Sequence, residues 1–166
     1  MQSDQNKSTI STIKYEANIE SHTSQLKQLL ATRPIHYSNW PSFDKSELDN
    51  SAGVYQFFEV RDGKQYSIYV GKGGFGAGED WSLAKRLNQH FRVSQKNTLL
   101  GKAAAYYNID PILLKSKYEK GSLYLQWLVL RTRENRNNEK LPDLARELLW
   151  FECFAIAALE PLFTDG

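Results

Sequence analysis

Two aromatic and β-branched runs, GVYQFFEV at 53–60 and QYSIYVG at 65–71, flank the dipeptide Asp62-Gly63. Such runs favour extended backbone and Asp-Gly favours a tight turn, so the segment reads as a β-hairpin. An antiparallel pair here constrains the rest of the chain, because it leaves no place for a parallel βαβ unit. Side chains alternate between faces, so the turn decides whether Tyr55 and Tyr69 share one. A three-residue loop Arg61-Asp62-Gly63, with Gly63 left-handed, pairs Val60 with Lys64 and sets Tyr55 opposite Tyr69. A two-residue loop puts them on opposite faces. The three-residue loop is expected, since a two-tyrosine site requires a shared face.

After the hairpin, GKGGFGAGEDW holds five glycines in eleven residues and reads as a loop. Gly71, Gly73 and Gly76 formally match G-x-G-x-x-G. The preceding strand is antiparallel, however, and the first acidic residue after the helix is Asp110, so no nucleotide cofactor is expected. From Ser82 to about Val93, Leu83, Leu87 and Phe91 describe one helical stripe, with Arg86 and His90 on a neighbouring one. A second helix is expected over about 95–107. SLYLQWLVLRT (122–132) reads as a third strand and RENRNNEK (133–140) as a charged loop. Pro142 opens a last helix, Asp143 to Glu160, and Pro161 stands just past its end. Residues 1–20 are polar and expected to fray, 21–32 to form a short helix, and Tyr37, Trp40 and Phe43 to pack on the core from a Pro34/Pro41 connector. The expectation is an α/β chain of the α+β kind: an N-terminal extension (1–49), then one domain (50–166) with a small three-stranded antiparallel sheet flanked by helices.

At 166 residues, 41% apolar and 24% charged, the chain fits one globular domain and excludes fibrous or fully disordered classes. The longest apolar stretch, Leu148 to Leu159, is interrupted by Glu152 and falls short of the roughly 18 residues of a membrane span, so no membrane partner is expected. Cys153, the lone cysteine, lies in that run, where a buried thiol is the ordinary outcome, and a reducing, cytoplasmic setting fits.

Glu152 itself demands a partner. An ionised carboxylate in an apolar helix costs several kcal/mol unless a cation, a metal or hydrogen-bond donors compensate. An internal Lys or Arg would serve, and so would a metal at the floor of a cleft. Arg86 and His90, four apart, are neighbours that could hold a phosphate and handle protons, or simply form a solvated helix face. Basic charge is uneven: residues 82–120 carry eight Lys and Arg against two acids, a net +6, while the whole chain is +2. With Tyr106, Tyr107 and Tyr118 interleaved, this side suits a phosphate backbone, although an ordinary solvated surface has the same composition.

Taken in order, Gly53-Val54-Tyr55, Tyr69-Val70-Gly71 with Lys72, Arg86 in a helix, and Glu152 nine residues before Pro161 resemble the GIY-YIG nuclease superfamily over about residues 50–166. His90 is similar to a feature of its restriction-endonuclease branch and Lys72 to one of its excision-repair branch. The resemblance implies hydrolysis of DNA phosphodiesters with one divalent ion, Mg2+ or Mn2+, with Glu152 as metal ligand. It further implies Tyr55 as the base toward water with Lys72 lowering its pKa, Arg86 on a non-bridging phosphate oxygen, and Tyr69 and His90 completing the water's hydrogen bonds. Lys85, Arg92, Lys96 and Thr164 are expected to contact substrate, and a homodimer would let such an enzyme cut both strands. Thr164 stands where the family usually has Asn and offers fewer hydrogen bonds, so the alternative is a DNA-binding module of this fold with reduced or lost cleavage. Targeting is expected from the first 50 residues, the 94–120 segment or a partner.

Overall fold

The computed structural model describes residues 3–74, 82–132 and 141–165. In chain order its elements are α1 (Ser3–Ala31), β1 (Ile35–His36), a 3-10 helix (Tyr37–Ser42), β2 (Ser51–Arg61), β3 (Lys64–Gly73) and α2 (Leu83–Gln89). There follow α3 (Leu99–Tyr107), α4 (Pro111–Lys120), β4 (Leu123–Thr132), α5 (Leu141–Leu159) and β5 (Phe163–Thr164). The class is α+β, but the sheet has five strands, in the order β1-β4-β2-β3-β5. The expected three antiparallel strands form its centre. The corrections are at the edges, where β1 joins β4 antiparallel and β5 joins β3 in parallel. A strand of two residues carries no periodicity, so neither was legible in sequence.

The hairpin turn also corrects the expectation. Arg61 pairs with Lys64, leaving a two-residue turn in which Asp62 (φ 50°) and Gly63 (φ 72°) are both left-handed, the geometry that matches strand twist. A bulge restores the shared face: Phe57 pairs with Tyr69 but Phe58 pairs with Ser67, so Ile68 is the extra residue on β3. Tyr55 pairs with Gly71 and lies diagonal to Tyr69 on one face.

Helices cover both faces. On the tyrosine face, α2, α3, α4 and the 3-10 helix bury Tyr37, Trp40, Leu83, Leu87, Leu99, Leu100 and Tyr118 against Tyr55, Phe57, Tyr69 and Leu125. On the other, α1 and α5 bury Leu29, Leu148, Phe151 and Ala155 against Val54 and Val70. Each buried Leu, Val or Phe among them contributes about 1.5–3 kcal/mol relative to exposure. The polar start of the chain is helical from Ser3 instead of frayed. It contains no Gly or Pro up to Ala31, and Leu29 anchors its last turns in the core. Helix α4 falls in a stretch the sequence left unassigned; Asp110 caps it by accepting from the Ile112 and Leu113 amides, with Pro111 in the first turn. Helix α2 stops at Gln89, four residues short of the expected end, and α3 begins at Leu99, with Thr98 as its cap, instead of near 95.

Helix α5 is apolar on more than the face it buries: Leu149 and Trp150 are exposed, and so is Cys153, against the expectation of a buried thiol. Glu152, on the sheet side, is buried as expected. Most of the glycine-rich loop (75–81) and the charged loop (133–140) lie outside the described residues; Gly71 and Gly73 belong to β3. Among the described residues no helix is long and apolar enough to cross a membrane.

Candidate active site

Tyr55, Tyr69, Lys72, Arg86, His90 and Glu152 come from β2, β3, the last turn and C-cap of α2, and α5, and they gather around β3 on its two faces. Tyr55 and Tyr69 lie with rings parallel to within 2° and centroids 6.4 Å apart. The β2–β3 register brings them together, and the α2 helix, capped by Ser82, carries Arg86 and His90 over the same face.

His90 does not reach outward to a water. It is fully buried, wedged among Tyr55, Phe57 and Tyr69, and both ring nitrogens are engaged. The Leu99 amide donates to Nδ1 at 2.9 Å, so Nδ1 carries no proton and the neutral ring bears it on Nε2. That Nε2–H then donates to the Tyr55 hydroxyl oxygen at 2.7 Å. Burial, with the charges of Arg86 and Lys102, holds the imidazole well below its usual titration range. His90 is therefore a neutral donor behind Tyr55, correcting its expected place beside the nucleophile.

Lys72 turns to the opposite face of β3 and pairs its Nζ with Glu152 Oε2. So the buried glutamate does find an internal lysine. Its second oxygen, Oε1, is also buried and receives no hydrogen bond from the described residues. Burial pushes the Glu152 carboxyl up and Lys72 only partly opposes this. Lys72 does not touch Tyr55, whose hydroxyl is driven well above 10 by burial and by the charge of Asp165, with Arg86 in partial opposition.

Asp165 was not singled out from the sequence, yet it joins the two halves. Its carboxylate accepts from the Tyr69 hydroxyl and the Arg86 guanidinium through Oδ1, and from the Lys72 amide at 3.3 Å through Oδ2. Burial opposes the Arg86 charge, and the paired Asp165 carboxylate favours it, so the guanidinium stays protonated. Arg86 also donates to Gln89 Oε1 at 2.5 Å and to the Asn97 carbonyl at 3.2 Å. Gly71 makes room for all of this. A Cβ there would lie 2.6 Å from both Asp165 Oδ2 and the Tyr55 hydroxyl.

Lys102, counted from sequence only within the basic stretch, donates to the Thr164 carbonyl and stands 6.0 Å from the Tyr69 ring centroid. Thr164 belongs to β5, where it pairs with Val70. Lys85, Arg92 and Lys96 are exposed in α2 and the segment after it. No short-range signal marks Asp165, because its place depends on a two-residue parallel strand. No family model, no curated protein sequence and no solved structure matches this chain.

Proposed function

We propose that this protein is a metal-dependent DNA endonuclease of the GIY-YIG kind. The observation that carries the reading is the meeting of Tyr55, Tyr69, Arg86, His90, Lys72 and Glu152, up to 97 positions apart in sequence, around β3. Oε1 of Glu152, buried and without a hydrogen-bond partner among the described residues, fits an oxygen ligand to Mg2+ or Mn2+. Bound there, such an ion would neutralise charge on the departing oxygen of a phosphodiester.

The chain's own residues supply the rest. Arg86 binds a non-bridging phosphate oxygen, and a guanidinium does so with paired, directional donors. Tyr69 offers its hydroxyl to the same phosphate. Tyr55 acts from its phenolate, whose oxygen takes the proton of the attacking water and becomes the neutral phenol, and His90 Nε2–H stabilises that phenolate before the transfer. A phenol whose pKa lies above 10 is a poor base, so the cations around it are required for the role. Lys85, Arg92 and Lys96 extend a basic surface from α2 for the neighbouring phosphates. A paired copy would place two such sites on the two strands of a duplex, as a restriction-like cut requires.

Plasmid nicking in Mg2+, Mn2+ and EDTA tests this. Wild type nicks with either metal and not in EDTA, while Tyr55→Phe and Glu152→Ala each lose at least about a hundredfold, the usual weight of a base or a metal ligand. Intact plasmid together with salt-sensitive DNA binding would favour instead a binding module without cleavage, the reading to which Thr164 in the Asn position points.

A further inference from the structure

The donors gathered on Asp165 form an anion site: a guanidinium, a phenolic hydroxyl and a backbone amide converge on one carboxylate. A tetrahedral phosphodiester presents oxygens to donors of this kind as readily as a carboxylate does. The site is built, not incidental. Gly71 leaves the space one Cβ would close, Gln89 and Asn97 hold the Arg86 guanidinium from the other side, and the β5 pairing with β3 sets Asp165 beside Gly71. Lys102, clasping the Thr164 carbonyl, pins the same short strand.

We propose that Asp165 is an internal stand-in for the substrate phosphate, holding the Arg86–Tyr69–Lys72 amide subsite until a phosphodiester displaces it. The nuclease reading supplies the identity of the incoming ligand; the exchange itself rests on the geometry above. Three consequences distinguish this device from an acid that merely positions Arg86. Apparent affinity for an anion is reduced by the fraction of molecules in which the carboxylate occupies the subsite. Removing the carboxylate therefore tightens binding, whereas removing a positioning group loosens it. The same exchange puts the phosphate's negative charge where the carboxylate's stood, so the anion that adds to burial in pushing the Tyr55 and Tyr69 hydroxyls up then belongs to the ligand instead of to Asp165. Finally, the two-residue β5 has little pairing to lose when its end moves.

The test uses two variants of the full chain. Asp165→Asn keeps the shape without the charge, and Asp165→Ser keeps one acceptor oxygen should the first fail to fold. Inorganic phosphate is titrated and read by thermal shift and by amide chemical shifts; a short duplex is titrated in EDTA and read by fluorescence anisotropy. The expected result is that either variant binds phosphate about tenfold or more tightly than wild type, as release of an occluding anion demands. The gain disappears when Arg86→Lys is added. Tighter duplex binding with a lower KM and little change in kcat extends the result to DNA. A gain for phosphate with none for the duplex upholds the anion site and removes the nuclease reading. Unchanged or weaker phosphate binding in both variants overturns the proposal, whatever the duplex does.

Discussion

The two halves of the site differ in how freely they can change partners. Tyr55 and His90 are fully buried, locked to each other and, through Leu99, to the start of α3. Lys72, Arg86 and Asp165 keep part of their surface in solvent, and Lys72 is one-third exposed. In the dry half a lost hydrogen bond leaves a buried donor with nothing to replace it, so geometry is fixed. In the open half water can substitute for a lost partner, so the ion pairs are less firmly fixed. Precision is thus held in the dry half and looser pairing in the open one. Gly71 lies between them, close to Tyr55 on one side and Asp165 on the other.

The largest effect comes from filling the space at Gly71. Gly71→Ala puts a Cβ against Tyr55, which cannot yield, and against Asp165, which can. A stability loss of about 1–3 kcal/mol in urea unfolding is expected, the range for overfilling a packed core. Adding Asp165→Ser sharpens the comparison. It should relieve only part of that loss, because the Tyr55 collision remains; full relief would mean that the dry half is not rigid.

The next effect reads the dry half through pH. The folded imidazole of His90 titrates below its unfolded value of about 6.5, so the unfolded chain binds this proton first and stability drops as pH falls from about 6.5. The slope due to His90 is about 1.4 kcal/mol per pH unit. His90→Gln should be flatter than wild type over that window in chemical denaturation, with the other histidines common to both. Parallel curves would show that His90 takes up protons as readily in the folded state as in the unfolded one.

The smallest effect belongs to Glu152, the buried partner of Lys72. Glu152 has a raised folded pKa, so its ionised form costs stability at neutral pH, and the wild type regains that stability as pH falls toward 4.5. Glu152→Gln removes the buried charge and leaves Lys72 to solvent. The variant should be more stable than wild type at pH 7 and lose this advantage in acid, because Lys72, one-third exposed, stays solvated once the carboxylate is gone and is not left as a buried unpaired charge. A less stable variant at pH 7 would mean that Lys72 fully compensates Glu152, leaving no carboxylate poised for a cation.

How far the sequence carried the fold follows from interaction range. The central strands were legible, because aromatic and β-branched runs bounded by turn residues are local signals, as were Arg86 with His90 on one helix and the apolar setting of Glu152. The Ile68 bulge was not, since a bulge shows only against a partner strand. Nor was the helix from Ser3, whose end is anchored by Leu29 packing against a segment more than a hundred residues away.

By itself, then, the sequence determined which residue types could carry chemistry and on which elements they ride. Local propensity and spacing act within a few residues and need no partner. Tertiary structure alone decided that His90 is a buried donor to Tyr55, that Lys72 serves Glu152 and not Tyr55, and that Asp165 fills the grip of Arg86. Each of those facts depends on burial and on contacts between distant segments, and both come into being only when the sheet closes its edges.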